Sequence, residues 1–299
     1  MSSSSSKRST FKSGLFEAGS RAIAQLFSSP QLEQGRSPTP SSTRQFRNIR
    51  RFLSLFLFFG CWQLLCLIKF NFFINFSFLP SPLEVLSATI QFFSTNPMMH
   101  LQASLTRVLF GYVTAVILGV SLGILIGWFQ KIEDLVFIPL EILRPIPAVA
   151  WIPLAILMFP NAESGMVYIT FIGAFFPILI STIKGVEGTD LILLRVGQCL
   201  GAKQWHIFKD IVVPGALPSI SSGLVIGMGN SWFCLVTAEI LAGRFGIGYL
   251  TWESYVTSNY PPIVMGMLLI GLMGAASSYA VDRLTCLLMP WRVTKKQSG

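Results

Sequence analysis

The stretch RVGQCLGAKQWHIFKDIVVPGALP, Arg195 to Pro218, is polar and carries a charge every few residues, yet it lies between two long apolar runs. Two membrane-crossing segments need only a short turn to join them. This connection instead has Gly201, where the chain can bend, and Pro214 and Pro218, which end one helix and start another. It therefore reads as a folded element in its own right. Thr189 or Asp190 is placed to cap a helix running LILLRVGQCLG. After Gly201, GAKQWHIFKDIVV resumes as a short amphipathic helix. Trp205, Phe208, Ile211 and Val212 fall toward one face, and Lys203, Gln204, Lys209 and Asp210 face water. Such a helix either docks into a partner, with the large aromatic at its exposed tip as the knob, or rests on a membrane surface and binds nothing.

The chain around it is a membrane chain. Of 299 residues, 52% are hydrophobic and 12% charged, and the mean hydropathy is +0.63. Those values exclude an ordinary soluble domain. A crossing helix takes about 20 apolar residues, and six runs qualify, at about 52–68, 104–128, 134–158, 165–183, 216–241 and 263–286. The third is rich in proline (Pro139, Pro145, Pro147, Pro153), and the fourth contains Pro177. LPSP marks a turn, and Pro82 opens a short helix over about 82–94 that does not cross. The expected domains are a tail at 1–50, a six-span bundle at 51–290 and a basic end at 291–299.

Residues 1–50 are Ser-rich and basic, with Glu17 and Glu33 as their only acids. So little apolar content cannot offset ordering entropy, and most of the segment is expected to be disordered. Leu15, Phe16, Ala22, Ile23, Leu26 and Phe27 recur at helical spacing and suit a helix lying on a membrane surface. The Ser- and Arg-rich start also resembles an organelle transit peptide; a plain cytoplasmic tail is the preferred reading.

Net charge is +9. In a membrane chain this reports orientation, because Lys and Arg collect in cytoplasmic loops, and it gives no reason to invoke nucleic acid. With the N-terminus inside, every Lys and Arg except Lys69, Arg107, Arg144 and Arg244 falls in a cytoplasmic piece or, for Arg283, at the inner end of the sixth run. Six spans then leave both termini cytoplasmic. Gly119, Gly123 and Gly127 recur on one face of the second span, and Gly223 and Gly227 on one face of the fifth, a spacing that lets helix backbones approach in lipid.

No catalytic centre is visible. The sequence has no G-x-x-x-x-G-K-[ST], HExxH or GxSxG. Its five cysteines form no CxxC, and His100 and His206 are far apart. The chain is therefore read as a transport subunit with no engine and no cofactor of its own. Charges inside spans are expensive and usually functional. Glu141 and Arg144, three apart, either pair to hold a kinked span or leave Arg144 to attract an anion at an aqueous path. Glu239 would cap or pair near the outer gate. Asn230, Trp151 and Trp232 are candidates for lining the path, although aromatics in spans more often pack or anchor.

The opening stretch resembles the EAA motif of ABC importer permeases, E-A-A, three residues, G, nine residues, I-x-L-P. The frame sets Arg195, Val196 and Gly197 at E-A-A, then Gly201-Ala202, then Ile211 and Pro214. Arg195 replaces the glutamate, and Val213 replaces the leucine. LPSPLEVL, LRPIPAVAWIPLAILMF, GAFFPILISTIKGVE and AEILAGRFGIGYLTWESY resemble the nitrate, sulfonate, taurine and bicarbonate branch of these permeases. The resemblance implies an all-α, type I (MetI-like) bundle with a cytoplasmic coupling helix carrying Trp205 and Phe208. It also implies two permease subunits facing each other as a homodimer or with a paralogue. Two ATP-binding cassette ATPase subunits would bind the ATP and Mg, and a periplasmic binding protein would deliver a small oxyanion. The alternative is an ATP-independent, ion-coupled carrier or channel, against which the poverty of membrane carboxylates counts.

Overall fold

A computed structural model describes residues 41–68, 78–95 and 97–289. Regular structure among them is helical throughout: α1 (Ser41–Ile68), α2 (Pro82–Thr95), α3 (Met98–Trp128), α4 (Gln130–Leu143), a 3-10 turn (Ala148–Trp151), α5 (Ile152–Met158), α6 (Ala162–Glu187), α7 (Leu191–Cys199), α8 (Gln204–Ile207), a π turn (Phe208–Val212), α9 (Val213–Ala242), α10 (Ile247–Val256) and α11 (Tyr260–Leu287). The described chain divides at Gly60 into two units, with the stretch from Cys61 onward forming the second. Everything below concerns that second unit. The proposed surface helix within 1–40 and the basic tail 291–299 lie outside the described residues. Helix α1 starts at Ser41, inside the expected tail.

Among the described residues, four helical stretches are long and apolar enough to cross a bilayer: α3, α6, Gln204–Ala242 and α11. The expected third span is broken. Helix α4 and the Ala148–Met158 stretch meet at 86°, the geometry of a broken span or of a re-entrant loop. The cause lies in Arg144–Pro147: Pro145 and Pro147 have no N–H to give a helix, and each pushes the residue before it out of the α region. In α1 the apolar helical run is Phe56–Leu67, shorter than a crossing takes. Helix α2 begins with Pro82 behind a capping box, in which Ser81 N–H donates to Glu84 Oε2 at 2.9 Å and Glu84 N–H donates to Ser81 Oγ at 3.4 Å.

Helix α6 is the centre of the bundle. It packs parallel to α3 on one side and antiparallel to α9 on the other. Along α3, a Cβ added at Gly111, Gly119, Gly123 or Gly127 would sit 2.6–3.0 Å from Thr170, Ile178, Thr182 or Val186 of α6. Along α9, Gly223 meets Ser181 and Gly227 meets Ile178; in the other direction, Gly173 of α6 meets Cys234. Ile178, with no exposed surface, is thus held between Gly119 and Gly227. All five expected packing glycines lie in these contacts, and Gly111 extends the α3 row by two turns through the fully buried Ala115. Helix–helix association in lipid lacks a hydrophobic driving force, so this close backbone approach is what dispersion requires.

Candidate functional site

Three regions of the second unit carry the chemistry. The first is the connection between α6 and α9. Asp190 caps α7, accepting from Ile192 N–H at 2.8 Å. The other candidate cap, Thr189, instead donates back to the Val186 carbonyl at 2.9 Å and closes α6. Helix α7 ends in a Schellman motif: Ala202 N–H donates to the Gly197 carbonyl and Gly201 N–H to that of Gln198, both at 3.0 Å. Gly201 holds φ +76° there, a left-handed conformation that favours glycine. Gly197 faces inward, and a Cβ on it would lie 3.0 Å from Ile211.

The amphipathic face after Gly201 differs from the expected one. Ile207 and Val212 are the buried anchors, whereas Trp205 is 65% exposed. A plain α-helical phase fails because residues 208–212 form a π turn, whose i→i+5 spacing puts Ile207 and Val212 on the same side. Phe208 is half-buried, between Trp128 at 5.0 Å and Trp205 at 5.6 Å between ring centres. Lys203, Gln204, Lys209 and Asp210 are exposed as expected. Arg195 is exposed and makes no hydrogen bond or ion pair among the described residues. Pro214 directly follows the π turn and has no N–H to give the continuous helix there.

The second region is a cavity of about 510 Å³ beside the Arg144–Pro147 break, bounded by α6 and α9. It brings together Arg144 and Asn230, two of the four residues expected near a path. Arg144 pairs with Glu141 at 3.3 Å, and both side chains are about half exposed. Trp232 is elsewhere. It is 3% exposed, and its indole N–H donates to Ser277 Oγ at 2.8 Å, fastening α9 to α11. It is a packing residue because its ring faces Gly274, which leaves room for it.

The third region surrounds Glu239, which has no exposed surface and does not face the cavity. Its partner is Arg107, which sequence reasoning treated only as an orientation charge. Arg107 Nη1 donates to Glu239 Oε1 at 2.8 Å and to the Phe245 carbonyl at 2.6 Å. Its Nε and Nη2 grip Glu163 of α6 at 2.7 and 2.5 Å. Glu239 also accepts from Ser104 Oγ at 2.7 Å and from Gly248 N–H at 2.9 Å, while Ile247 N–H donates to Ser104 Oγ at 2.9 Å. Two of the orphan N–H groups that open α10 are therefore satisfied by side chains from α3 and α9. Gly246, at φ +133°, lies against the Glu239 carboxyl, which occupies the space a side chain would need. The one signal in the sequence was the arginine itself, set inside an otherwise apolar helix.

Residues 84–292 match the family described as binding-protein-dependent transport system inner membrane component. The chain is 33% identical over 252 residues to the nitrate import permease protein NrtB of Synechocystis sp., covering 81% of this chain and 90% of that one. It is 29% identical over 220 residues to the taurine transport system permease protein TauC of Escherichia coli, covering 72% and 80%. In fold it resembles a chain of the MetNI methionine ABC transporter, with a TM-score of 0.53 at 18% identity, covering 64% of this chain and 98% of that one. An all-helical bundle with several apolar crossings, a folded polar connection between two of them and a family match over most of its length make this chain a multi-pass membrane protein and a member of the ABC transporter permease family, a transport subunit rather than an enzyme.

Proposed function

We propose that this chain is the permease of an ATP-driven importer in a bacterial inner membrane; six crossings with both termini in the cytoplasm require the bent pair to act as one span and the 28-residue α1 to cross beyond its apolar run Phe56–Leu67. The observation that carries this reading is the element at Leu191–Val212, rigidly built and ending in an exposed aromatic. The α7 cap, the Schellman turn and the Ile207–Val212 anchors fix its shape, while Trp205 and Arg195 are left to a partner. Such an element suits a groove on an ATPase subunit, which would bind the ATP and Mg. Residues Gly197, Gly201, Ala202, Ile211 and Pro214 shape it, and Phe208 seats it against α3. A second permease copy or a paralogue would face this one across the path, and a periplasmic binding protein would deliver the cargo. Relatives named for nitrate and taurine support a small oxyanion as that cargo. Closure of the ATPase pair would move the element, and the crossings would rock about the cargo path.

The test is reconstitution in liposomes with the cognate ATPase and binding protein. ATP-dependent anion uptake that disappears when either companion is omitted is the expected result. Uptake by the isolated chain without nucleotide would overturn the proposal.

A further inference from the structure

The cavity at the Arg144–Pro147 break has a composition that selects a ligand. Its walls are apolar, drawn from Pro145, Pro147, Phe176 and Phe233 among others. Three residues with strongly polar side chains line it: Arg144, Ser181 and Asn230. Ser181 and Asn230 make no side-chain hydrogen bond among the described residues, so a hydroxyl and an amide are free to donate. Arg144 has one partner, Glu141, at 3.3 Å, longer than the about 2.7–2.9 Å of a good charge-assisted hydrogen bond. Glu141 thus neutralises the guanidinium without saturating its donors. A guanidinium fork beside two neutral donors in an apolar chamber is matched by a small planar or tetrahedral oxyanion.

A second chamber of about 160 Å³ shares Arg144, Phe176 and Ile180 with the first. It also contains Glu133, Glu141 and Glu187 against a single Lys184. It lies toward the start of α4 and the end of α6, the same end as the polar connection. Arg144 therefore stands between a chamber that attracts anions and one that repels them.

We infer that Arg144, Ser181 and Asn230 form an anion subsite on the transport path, in which the oxyanion displaces Glu141 from Arg144. Glu133 and Glu187 beyond it weaken the anion's hold once it has passed. This inference rests on the importer reading and fixes where in the chain the cargo is held.

Two experiments separate its failure from that of the importer reading. In the reconstituted complex, uptake of labelled nitrate, bicarbonate and taurine is measured one at a time. Arg144→Gln should lower uptake of the transported anion at least tenfold, and Arg144→Lys should keep about a third of it. Stimulation of ATP hydrolysis by loaded binding protein should stay within twofold in both. Unchanged uptake in Arg144→Gln, or uptake and hydrolysis falling together, would overturn the subsite. The second experiment needs no transport. A cysteine at position 230 (Asn230→Cys) is alkylated with a sulfonate-bearing or an ammonium-bearing methanethiosulfonate, and labelling of the unsubstituted chain is subtracted. The anionic reagent should react at least fivefold faster with Arg144 present than in Arg144→Gln, with the opposite order for the cationic reagent, and nitrate should slow the anionic reaction more than equal chloride does. Equal rate ratios for the two reagents would refute the subsite even if the complex transports. Absence of ATP-dependent uptake of any of the three anions by the unsubstituted complex would count against the importer reading alone.

Discussion

Glu239→Gln is the most informative single change in the buried charge cluster. The carboxylate accepts from three donors, Ser104 Oγ and Arg107 Nη1 on one oxygen and Gly248 N–H on the other. A glutamine has a single carbonyl oxygen. If that oxygen keeps Ser104 and Arg107, its NH₂ group is turned against Gly248 N–H, two donors facing each other. An unsatisfied buried donor costs about 1–3 kcal/mol, while Arg107 keeps its two-point grip on Glu163. Glu239 has no exposed surface and Arg107 only 3%, so solvent offers little relief. At about 2–4 °C per kcal/mol for a domain of this size, the melting temperature should fall by about 2–12 °C. Arg107→Leu should cost at least as much, since it strands Glu239 and also releases Glu163 and the Phe245 carbonyl. The double variant Arg107→Leu/Glu239→Leu should be less damaging than the two single losses added together, because no lone charge stays buried. Thermal unfolding of the purified, lipid-supplemented complex is the assay. Single-variant shifts below about 2 °C, or strict additivity in the double variant, would show that the cluster does not clamp this end of the bundle.

Gly123→Ala puts a methyl 2.6 Å from Thr182 Cβ, next to the Leu179 carbonyl; overpacking of this kind costs about 1–3 kcal/mol, read as a lower melting temperature that Thr182→Gly in the same chain partly restores. Gly201→Ala meets no neighbouring atom, so its cost of about 1–2 kcal/mol comes from the left-handed φ alone; Gly201→Asn should cost less, and hydrogen exchange across Leu191–Val212 ranks the two. Trp205→Asp should leave the melting temperature within about 2 °C, since the side chain is 65% exposed, while uncoupling ATP hydrolysis from uptake in the reconstituted complex; normal coupling would show that Trp205 is not the docking knob.

Helices α3, α6, α9 and α11 were legible because a long apolar run has few alternatives once it must satisfy its own backbone in lipid. The packing glycines were legible for the same reason: a four-residue repeat of small side chains has one use in such a helix. The 86° break was visible only as a cluster of prolines, since proline content says that a helix ends and says nothing of the angle that follows. Ile207 was missed as a buried anchor because a π turn leaves no mark in a pattern of apolar residues, whereas Trp205 is at an exposed tip as read. Arg107 was overlooked for a different reason. Its two carboxylate partners lie 56 and 132 positions away, and no local spacing relates them. Glu239 was singled out as an acid that would cap or pair near an outer gate, and its partners Arg107, Ser104 and Gly248 could come only from the fold. Asn230 and Arg144 share a cavity because α9 passes the broken segment, a tertiary fact that neither stretch contains.

Helical structure is continuous from Gln204 to Ala242, 39 residues in all, or about 58 Å at the usual rise. Trp205 sits near its first residue and Glu239 near its last. One strut thus joins the surface proposed for a nucleotide-driven companion with the buried ionic clasp at its other end. If that companion grips the first tip as proposed, work applied there need not be relayed through a chain of side chains, and any coupling must run both ways: whatever loosens the clasp would alter how firmly the companion is gripped.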